Sequence, residues 1–229
     1  MIDKWSSLSR SDARLLSDHL DRNNVIRSRG TFVLLLFFTN FVNEGTRTNS
    51  RNMNLNSNQL GRLGETAVAF ELQKRGYDVI NLNDAIKNYE GADLFCASPK
   101  SGKSTLIQVK TGTTENIQCG ITSTPDGVIE NLDKKINCPW VFVYVKPIEN
   151  NDFSFEFYIL TRDEIYELID KSNHWYTLEW SRKLEKNVRV GIELKWLKGE
   201  ESKKSDKLHP AFNSTLKETS FNKWEKLGL

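Results

Sequence analysis

Apolar and polar residues alternate most regularly between residues 57 and 170, so the best-defined secondary structure is predicted there. Residues 60–75 repeat apolar side chains at helical spacing, and Gly76 is expected to end this helix. The stripe that is expected to face the core consists of Leu60, Leu63, Ala67 and Phe70, widened by Val68 and Leu72. Glu65 falls at the border of this stripe, where its carboxylate can face a cleft.

Shorter segments rich in apolar and β-branched residues, separated by turn signals, predict a β-sheet. The predicted strands cover residues 77–82, 93–97, 105–110, 140–145 and 153–160. Thr161 and Glu164 have the spacing of a capping box, which predicts a second helix running through Ile165 and Leu168. The order helix, strands, helix predicts an α/β (α+β) fold in which a central mixed β-sheet is flanked by helices.

The pattern divides the chain into a core at residues 57–172 and two extensions. Residues 1–56 form an N-terminal extension, which we expect to be dispensable. It contains a polar helical segment at 9–21, the apolar run FVLLLFF at 32–38 and a linker rich in Asn, Arg and Thr at 43–58. The apolar run is far shorter than the roughly 20 residues that span a bilayer, so we expect a buried strand or short helix and no membrane segment.

Residues 173–229 form a C-terminal extension that is expected to pack on the core and to contact substrate or partners. A strand at 188–196 and a closing helix at 216–227 are predicted within it.

Composition excludes few functions. The 229 residues carry a net charge of only +2, which does not by itself indicate a nucleic-acid-binding protein. Cys96, Cys119 and Cys138 are too few and too widely spaced for a disulfide framework or a zinc site. A reducing, cytoplasmic setting is the simplest interpretation of this cysteine usage.

Four polar residues in the predicted helix and hairpin are candidates for a metal-dependent catalytic site. Asp93 and Gln108 supply the oxygen ligands that a hard cation such as Mg²⁺ requires, and Glu65 adds a further carboxylate. Lys110 lies two residues after Gln108 and is therefore expected on the same face of the strand. Each residue alone has a simpler interpretation. Glu65 can be a solvated helix residue and Asp93 a turn residue. Gln108 and Lys110 can form the polar face of a half-exposed strand.

The segments Leu63-Gly64-Glu65, Gly91-Ala92-Asp93-Leu94 and Ile107-Gln108-Val109-Lys110, in this order, resemble the PD-(D/E)XK nuclease superfamily. The arrangement over residues 57–170 is similar to Mrr-type restriction endonucleases and archaeal Holliday-junction resolvases, and the Gln-x-Lys ending is most similar to the former. The resemblance implies a restriction-endonuclease-like fold. It also implies Mg²⁺-dependent hydrolysis of DNA phosphodiester bonds in restriction, repair or defence against foreign DNA.

The resemblance further implies a role for each residue of the site. Asp93 is expected to be the central ligand of Mg²⁺ or Mn²⁺, joined by the Gln108 side-chain oxygen and the Val109 carbonyl. Glu65 is expected to hold a ligand water or a second ion, and Lys110 to orient or deprotonate the attacking water. Gln108 stands where the family usually has an acidic residue. This departure leaves open a catalytically weak or inactive protein on the same fold that binds nucleic acid or depends on a partner.

DNA is the expected partner, and a homodimer is expected if both strands of a duplex are cut. Basic residues that are candidates for contacting nucleic acid are Lys134, Lys135, Arg182, Lys183 and Lys186. The nearby aromatic residues Trp175, Tyr176 and Trp180 suit base stacking, although packing in the core is the favoured interpretation.

Overall fold

A mixed β-sheet lies at the centre of the computed structural model, which describes residues 55–85, 91–148, 152–180, 185–200, 203–204, 207–208, 216 and 218–229. Its strands and those of two smaller sheets are β1 (Asp78–Asn81), β2 (Leu94–Ala97), β3 (Ser104–Gly112), β4 (Asn116–Ser123), β5 (Trp140–Pro147), β6 (Phe153–Leu160), β7 (Val188–Glu193), β8 (Lys203–Lys204) and β9 (Lys207–Leu208). The α-helices are α1 (Ser57–Lys74), α2 (Leu82–Ala85), α3 (Leu132–Lys135), α4 (Arg162–His174) and α5 (Leu194–Leu197). A π-helix covers Trp175–Trp180 and a 3-10 helix Trp224–Leu227. The predicted helix at 9–21 and the predicted strand or helix at 32–38 lie outside the described residues.

The central sheet has the strand order β1-β2-β3-β5-β6. The first three strands are antiparallel neighbours, β3 and β5 run parallel, and β6 returns antiparallel to β5. Helices pack beside this sheet, so the predicted α/β (α+β) class with a central mixed sheet is confirmed. In the parallel pair Gln108 lies opposite Trp140, which places the polar residues of β3 beside the start of β5.

Helix α1 is fixed at both ends by local sequence. Asn56 caps its start, and a reciprocal hydrogen bond from the Asn56 backbone N–H to the Gln59 side chain completes a capping box. Gly76 follows the helix with φ = 84°, a left-handed conformation that favours glycine. The buried face contains Gly64, Val68 and Leu72, whereas Phe70 is exposed. The predicted stripe is confirmed apart from Phe70, since Leu60, Leu63 and Ala67 are partly buried and pack against the same cluster as Val68 and Leu72.

Apolar side chains pack on the two faces of the central sheet as separate clusters. On one face Val68 and Leu72 of α1 pack with Ile107 and Val109 of β3. On the other face the cluster includes Trp140, and it continues into the second, two-stranded sheet of β4 and β7. Because side chains of β3 alternate between these faces, its polar residues at 108 and 110 lie away from α1.

Several predicted elements differ in the structure. Strand β4 was not predicted, although its buried and exposed residues alternate, because its exposed positions hold a glycine and polar residues that are common in loops. The predicted strand at 188–196 ends at Glu193 and turns into α5. The predicted helix at 216–227 is wrong: of the described residues in this range, only Trp224–Leu227 form a helical turn. Its isolated apolar residues Trp224 and Leu227 suffice for one turn against the α1 side of the sheet.

Residues after 173 contribute to both clusters. Val190 and Ile192 of β7 belong to the cluster on the Trp140 side, and Trp224 and Leu227 belong to the α1 side. None of the helices in the described residues is both long and apolar enough to cross a membrane.

Candidate active site

The start of β2 and the middle of β3 diverge, and the candidate residues gather at this point. The last residue pair between the two strands is Leu94 with Ile107, so β3 continues past the beginning of β2. Gly91, with φ = 94°, turns the chain just before Asp93. The backbone N–H of Asp93 still donates to the Ile107 carbonyl at 2.9 Å, which holds this residue against β3.

The Asp93 carboxylate accepts a hydrogen bond from β3 that a backbone carbonyl of β2 would accept in a regular ladder. Its Oδ2 accepts from the Val109 backbone N–H at 2.8 Å and from the Gln108 side-chain Nε2. Because the N–H and C=O of one strand residue point to the same side, the Val109 carbonyl is also directed toward this edge. Asp93, Gln108 and Val109 are thus brought together, as the sequence predicted.

Glu65 reaches this group from α1 through two asparagines that were not predicted from the sequence. Asn81, the last residue of β1, donates from Nδ2 to Glu65 Oε2 at 2.9 Å. Asn83, in α2, donates from Nδ2 to Asp93 Oδ1 at 3.2 Å and to Glu65 Oε1 at 3.5 Å. One amide therefore bridges the two carboxylates. One feature of the sequence could have indicated these contacts. Asn81 and Asn83 lie at the end of β1, and the strand that pairs with β1 begins directly after Asp93.

Lys110 lies on the same face of β3 as Gln108, as the strand period predicted. Its Nζ lies 5.3 Å from the centre of the Trp140 ring, a cation–π arrangement. Gly120, in the irregular part of β4, is next to it: a Cβ on that residue would lie 3.6 Å from Nζ. Within the described residues Lys110 forms no ion pair, so its charge is not neutralised by a carboxylate.

The electrostatics of the site follow from partial burial. Burial raises the pKa of Glu65 above its usual 4.5, and the nearby Asp93 charge raises it further, while the hydrogen bond from Asn81 opposes the shift. Cys138 lies beside the site, with its Sγ 3.5 Å from the Gly91 carbonyl. Burial raises the pKa of this thiol to about 11, so it is protonated at neutral pH and is a poor metal ligand.

The donor set fits a hard cation and does not fit zinc. The available atoms are the carboxylate oxygens of Glu65 and Asp93, the Val109 carbonyl and the amide oxygens of Gln108 and Asn83. No group of three or more His, Cys, Asp and Glu side chains that could hold a metal occurs among the described residues. Gln108 now presents its amide nitrogen to Asp93, so its oxygen would serve as a ligand only after the amide turns.

The structure describes three of the five basic residues that are candidates for contacting nucleic acid. Lys134 and Lys135 are exposed on α3, and Lys186 is exposed just before β7. Arg182 and Lys183 lie outside the described residues. Trp175 is buried, which agrees with a packing role for that ring.

Comparison with known proteins adds one structural likeness. No protein-family model matches the chain, and no curated protein matches it. Among solved structures, the chain is similar to a bacterial homing endonuclease, I-Ssp6803I. The two share 14% sequence identity over 69% of this chain and 85% of that chain, with a TM-score of 0.28. A TM-score this low does not support a shared function, so the function is inferred from the geometry of the site.

Proposed function

We propose that this protein is a divalent-cation-dependent nuclease that hydrolyses phosphodiester bonds of DNA, with Glu65, Asp93, Gln108, Val109 and Lys110 as its active site. The observation that carries the proposal is the environment of Asp93. One of its oxygens is tied to β3 through Val109 and Gln108, and the other is tied to Glu65 through Asn83. Two carboxylates from distant parts of the chain are thus fixed at one edge with a lysine on the same strand.

The oxygen-bearing residues and Lys110 would have different roles in catalysis. Asp93, Glu65 and the Val109 carbonyl would hold Mg²⁺ or Mn²⁺, with the Gln108 oxygen as an additional ligand. When bound, such a cation polarises a phosphate and lowers the pKa of a coordinated water. Lys110 supplies positive charge for the phosphate as negative charge develops on it, and it can hold the attacking water in line.

Trp140 and Gly120 prepare Lys110 for this role. The indole ring supports the ammonium group without neutralising it, because a cation–π contact leaves the full charge in place. The absence of a side chain at Gly120 keeps the space next to Nζ open. A lysine held in this way can meet a phosphate without first breaking an ion pair.

The biological setting that we propose is restriction, repair or defence against foreign DNA in the cytoplasm, with a homodimer where both strands are cut. A second candidate is a nucleic-acid-binding protein without cleavage, or one that needs a partner. One observation favours it: amide N–H groups of Asn81, Asn83 and Gln108 occupy the carboxylate oxygens that a cation would need.

Cleavage assays separate these candidates. Purified protein is incubated with plasmid and linear DNA in Mg²⁺, Mn²⁺ or EDTA, together with Asp93→Asn and Lys110→Ala. Loss of Lys110 should lower the rate by on the order of 10²–10³, because it removes a charge that stabilises the transition state. Asp93→Asn should lower it at least as much, since it removes the central cation ligand.

Matched controls are available elsewhere on the surface. Lys103→Ala removes an exposed lysine from the β2–β3 hairpin, and Asp170→Asn removes an exposed carboxylate from α4. Both should leave the rate within about twofold. Metal-independent DNA binding without cleavage, unchanged in Lys110→Ala, would establish the binding protein instead. Cleavage that survives both site substitutions would show that the active site lies elsewhere.

A further inference from the structure

Asn81 and Asn83 both donate to Glu65, but the structure fixes the orientation of only one of these amides. Asn81 Oδ1 accepts from the backbone N–H of Asn83 at 2.9 Å and of Asp84 at 3.3 Å. Turning this amide would place its NH₂ against two N–H donors. Its Nδ2 must therefore face Glu65, and Asn81 can only be a donor to that carboxylate.

Asn83 has no such constraint. Its Nδ2 lies between Glu65 Oε1 and Asp93 Oδ1, whereas its Oδ1 accepts no hydrogen bond from any described residue. The side chain is exposed, so water can satisfy either end of the amide. The terminal torsion of asparagine is broad and roughly two-fold, so exchanging oxygen for nitrogen is inexpensive.

The position between the carboxylates demands a positive or hydrogen-bond-donating group. Without a cation, an amide NH₂ supplies partial positive charge to two carboxylates that otherwise repel each other. With a cation in that position, the same NH₂ would point its hydrogens at a positive charge. The amide oxygen is then the group that fits, because amide oxygens are ordinary ligands of hard cations.

We propose that Asn83 is a ligand of the cation site: its NH₂ bridges Glu65 and Asp93 when the cation is absent, and its Oδ1 joins their oxygens when the cation binds. Asn81 is the positioning residue that keeps Glu65 aimed at this place in both states. The inference rests on the proposed function, since it concerns the same cation. It adds a residue to the site and states why the unliganded carboxylates remain together.

Two substitutions at this position separate ligation from bridging. Asn83→Asp keeps an oxygen ligand but cannot donate to the carboxylates, and Asn83→Ala can do neither. Binding of Mg²⁺ and Mn²⁺ to the full chain without DNA is measured by isothermal titration calorimetry. Melting temperatures in EDTA and in cation are compared alongside. Asn187→Asp serves as the control for adding a charge, since Asn187 is exposed and lies just before β7.

A ligand role predicts opposite effects of the two substitutions. Asn83→Ala should weaken cation binding about tenfold or more, while Asn83→Asp should bind at least as tightly as the wild type. Asn83→Asp should also melt at a lower temperature than the wild type in EDTA and recover more on addition of cation. The control Asn187→Asp should follow the wild type.

Two results would overturn the inference alone, and a third would overturn it together with the proposed function. Unchanged cation affinity in Asn83→Ala removes Asn83 from the site. Equal weakening in Asn83→Ala and Asn83→Asp assigns it to bridging alone. If the wild type binds neither Mg²⁺ nor Mn²⁺ in calorimetry, the cation-dependent function fails and the ligand role fails with it.

Discussion

Gly64 controls how closely α1 approaches the central sheet, and replacing it by alanine is the sharpest test of the geometry that aims Glu65. A Cβ at this position would lie 1.8 Å from Thr111 Oγ1 and 2.9 Å from the Cβ and Cγ2 of the same residue. Favourable contacts between such atoms lie at about 3.5–4.0 Å. Thr111 belongs to β3, so the helix or the strand must move.

The expected magnitude follows from two opposing terms. Alanine is favoured over glycine in a helix interior by about 0.8–1.0 kcal/mol, while an extra methyl in a close-packed contact typically costs about 1–3 kcal/mol. Gly61 lies one turn earlier in α1, and a Cβ there meets nothing within 4 Å. Gly61→Ala therefore gains the helix term alone. The difference between the two variants isolates the contact, and we expect Gly64→Ala to be less stable than Gly61→Ala by about 1–3 kcal/mol.

Urea denaturation followed by tryptophan fluorescence measures both variants against the wild type. For a domain of this size each kcal/mol shifts the melting temperature by about 2–4 °C, so thermal melts give a second reading. Thr111→Ala in the Gly64→Ala background removes Oγ1 and Cγ2 and should recover part of the loss, which a double-mutant cycle quantifies. Equal stability of Gly61→Ala and Gly64→Ala would refute the close approach, and with it the placement of Glu65.

Three further predictions concern the site and the chain end. Burial raises the pKa of Glu65 above 4.5, so its contribution favours folding below pH 4.5 and is lost as the pH rises through the raised pKa. The free energy of unfolding of the wild type should therefore fall relative to Glu65→Gln between pH 4.5 and neutrality, and parallel curves would contradict this. Gly120→Ala and Gly102→Ala impose similar backbone strain, since φ is 72° and 71°, but only Gly120 adjoins Lys110. Both should lose about 1–2 kcal/mol of stability, and only Gly120→Ala should slow cleavage; equal rates would contradict the role of this neighbour. Lys226 Nζ donates to Glu164 Oε1 at 2.7 Å, so Lys226→Met should cost about 0.5–1 kcal/mol and increase hydrogen exchange at 224–227, whereas unchanged exchange would show that the contact does not hold the chain end.

The sequence predicted the elements whose character is visible within a short segment of the chain. Strands β5 and β6 were predicted because each is a short run rich in apolar and aromatic residues, and the capping box because its hydrogen bonds join Thr161 to a residue three positions later. Strand β4 was missed although its buried side chains alternate, because a glycine and polar residues common in loops fill its exposed positions and its partner β7 lies far along the chain. The closing helix was predicted from apolar spacing alone, which cannot distinguish a helix from a single turn packed on a sheet.

The site was predictable as far as its residues belong to recognisable segments. One hairpin, formed by β2 and β3, carries Asp93, Gln108 and Lys110. Their positions in the sequence were therefore enough to predict that they lie close together. The contacts of Asn81 and Asn83 depend on how β1 meets α1, and no local period encodes that meeting. The orientation of the Gln108 amide was equally invisible, because it is set by the carboxylate that it faces.

The absence of a β2 backbone partner for Val109 explains why the candidate site forms at this place in the sheet. If β2 began two residues earlier in a regular ladder, its backbone would pair with Val109 and leave no room for a side chain. The turn at Gly91 ends that ladder early, and the Asp93 carboxylate accepts the Val109 N–H in place of a backbone carbonyl. The same interruption leaves the Val109 carbonyl and both carboxylates at one open edge. A local irregularity of the sheet thus provides the oxygen atoms that the proposed cation requires.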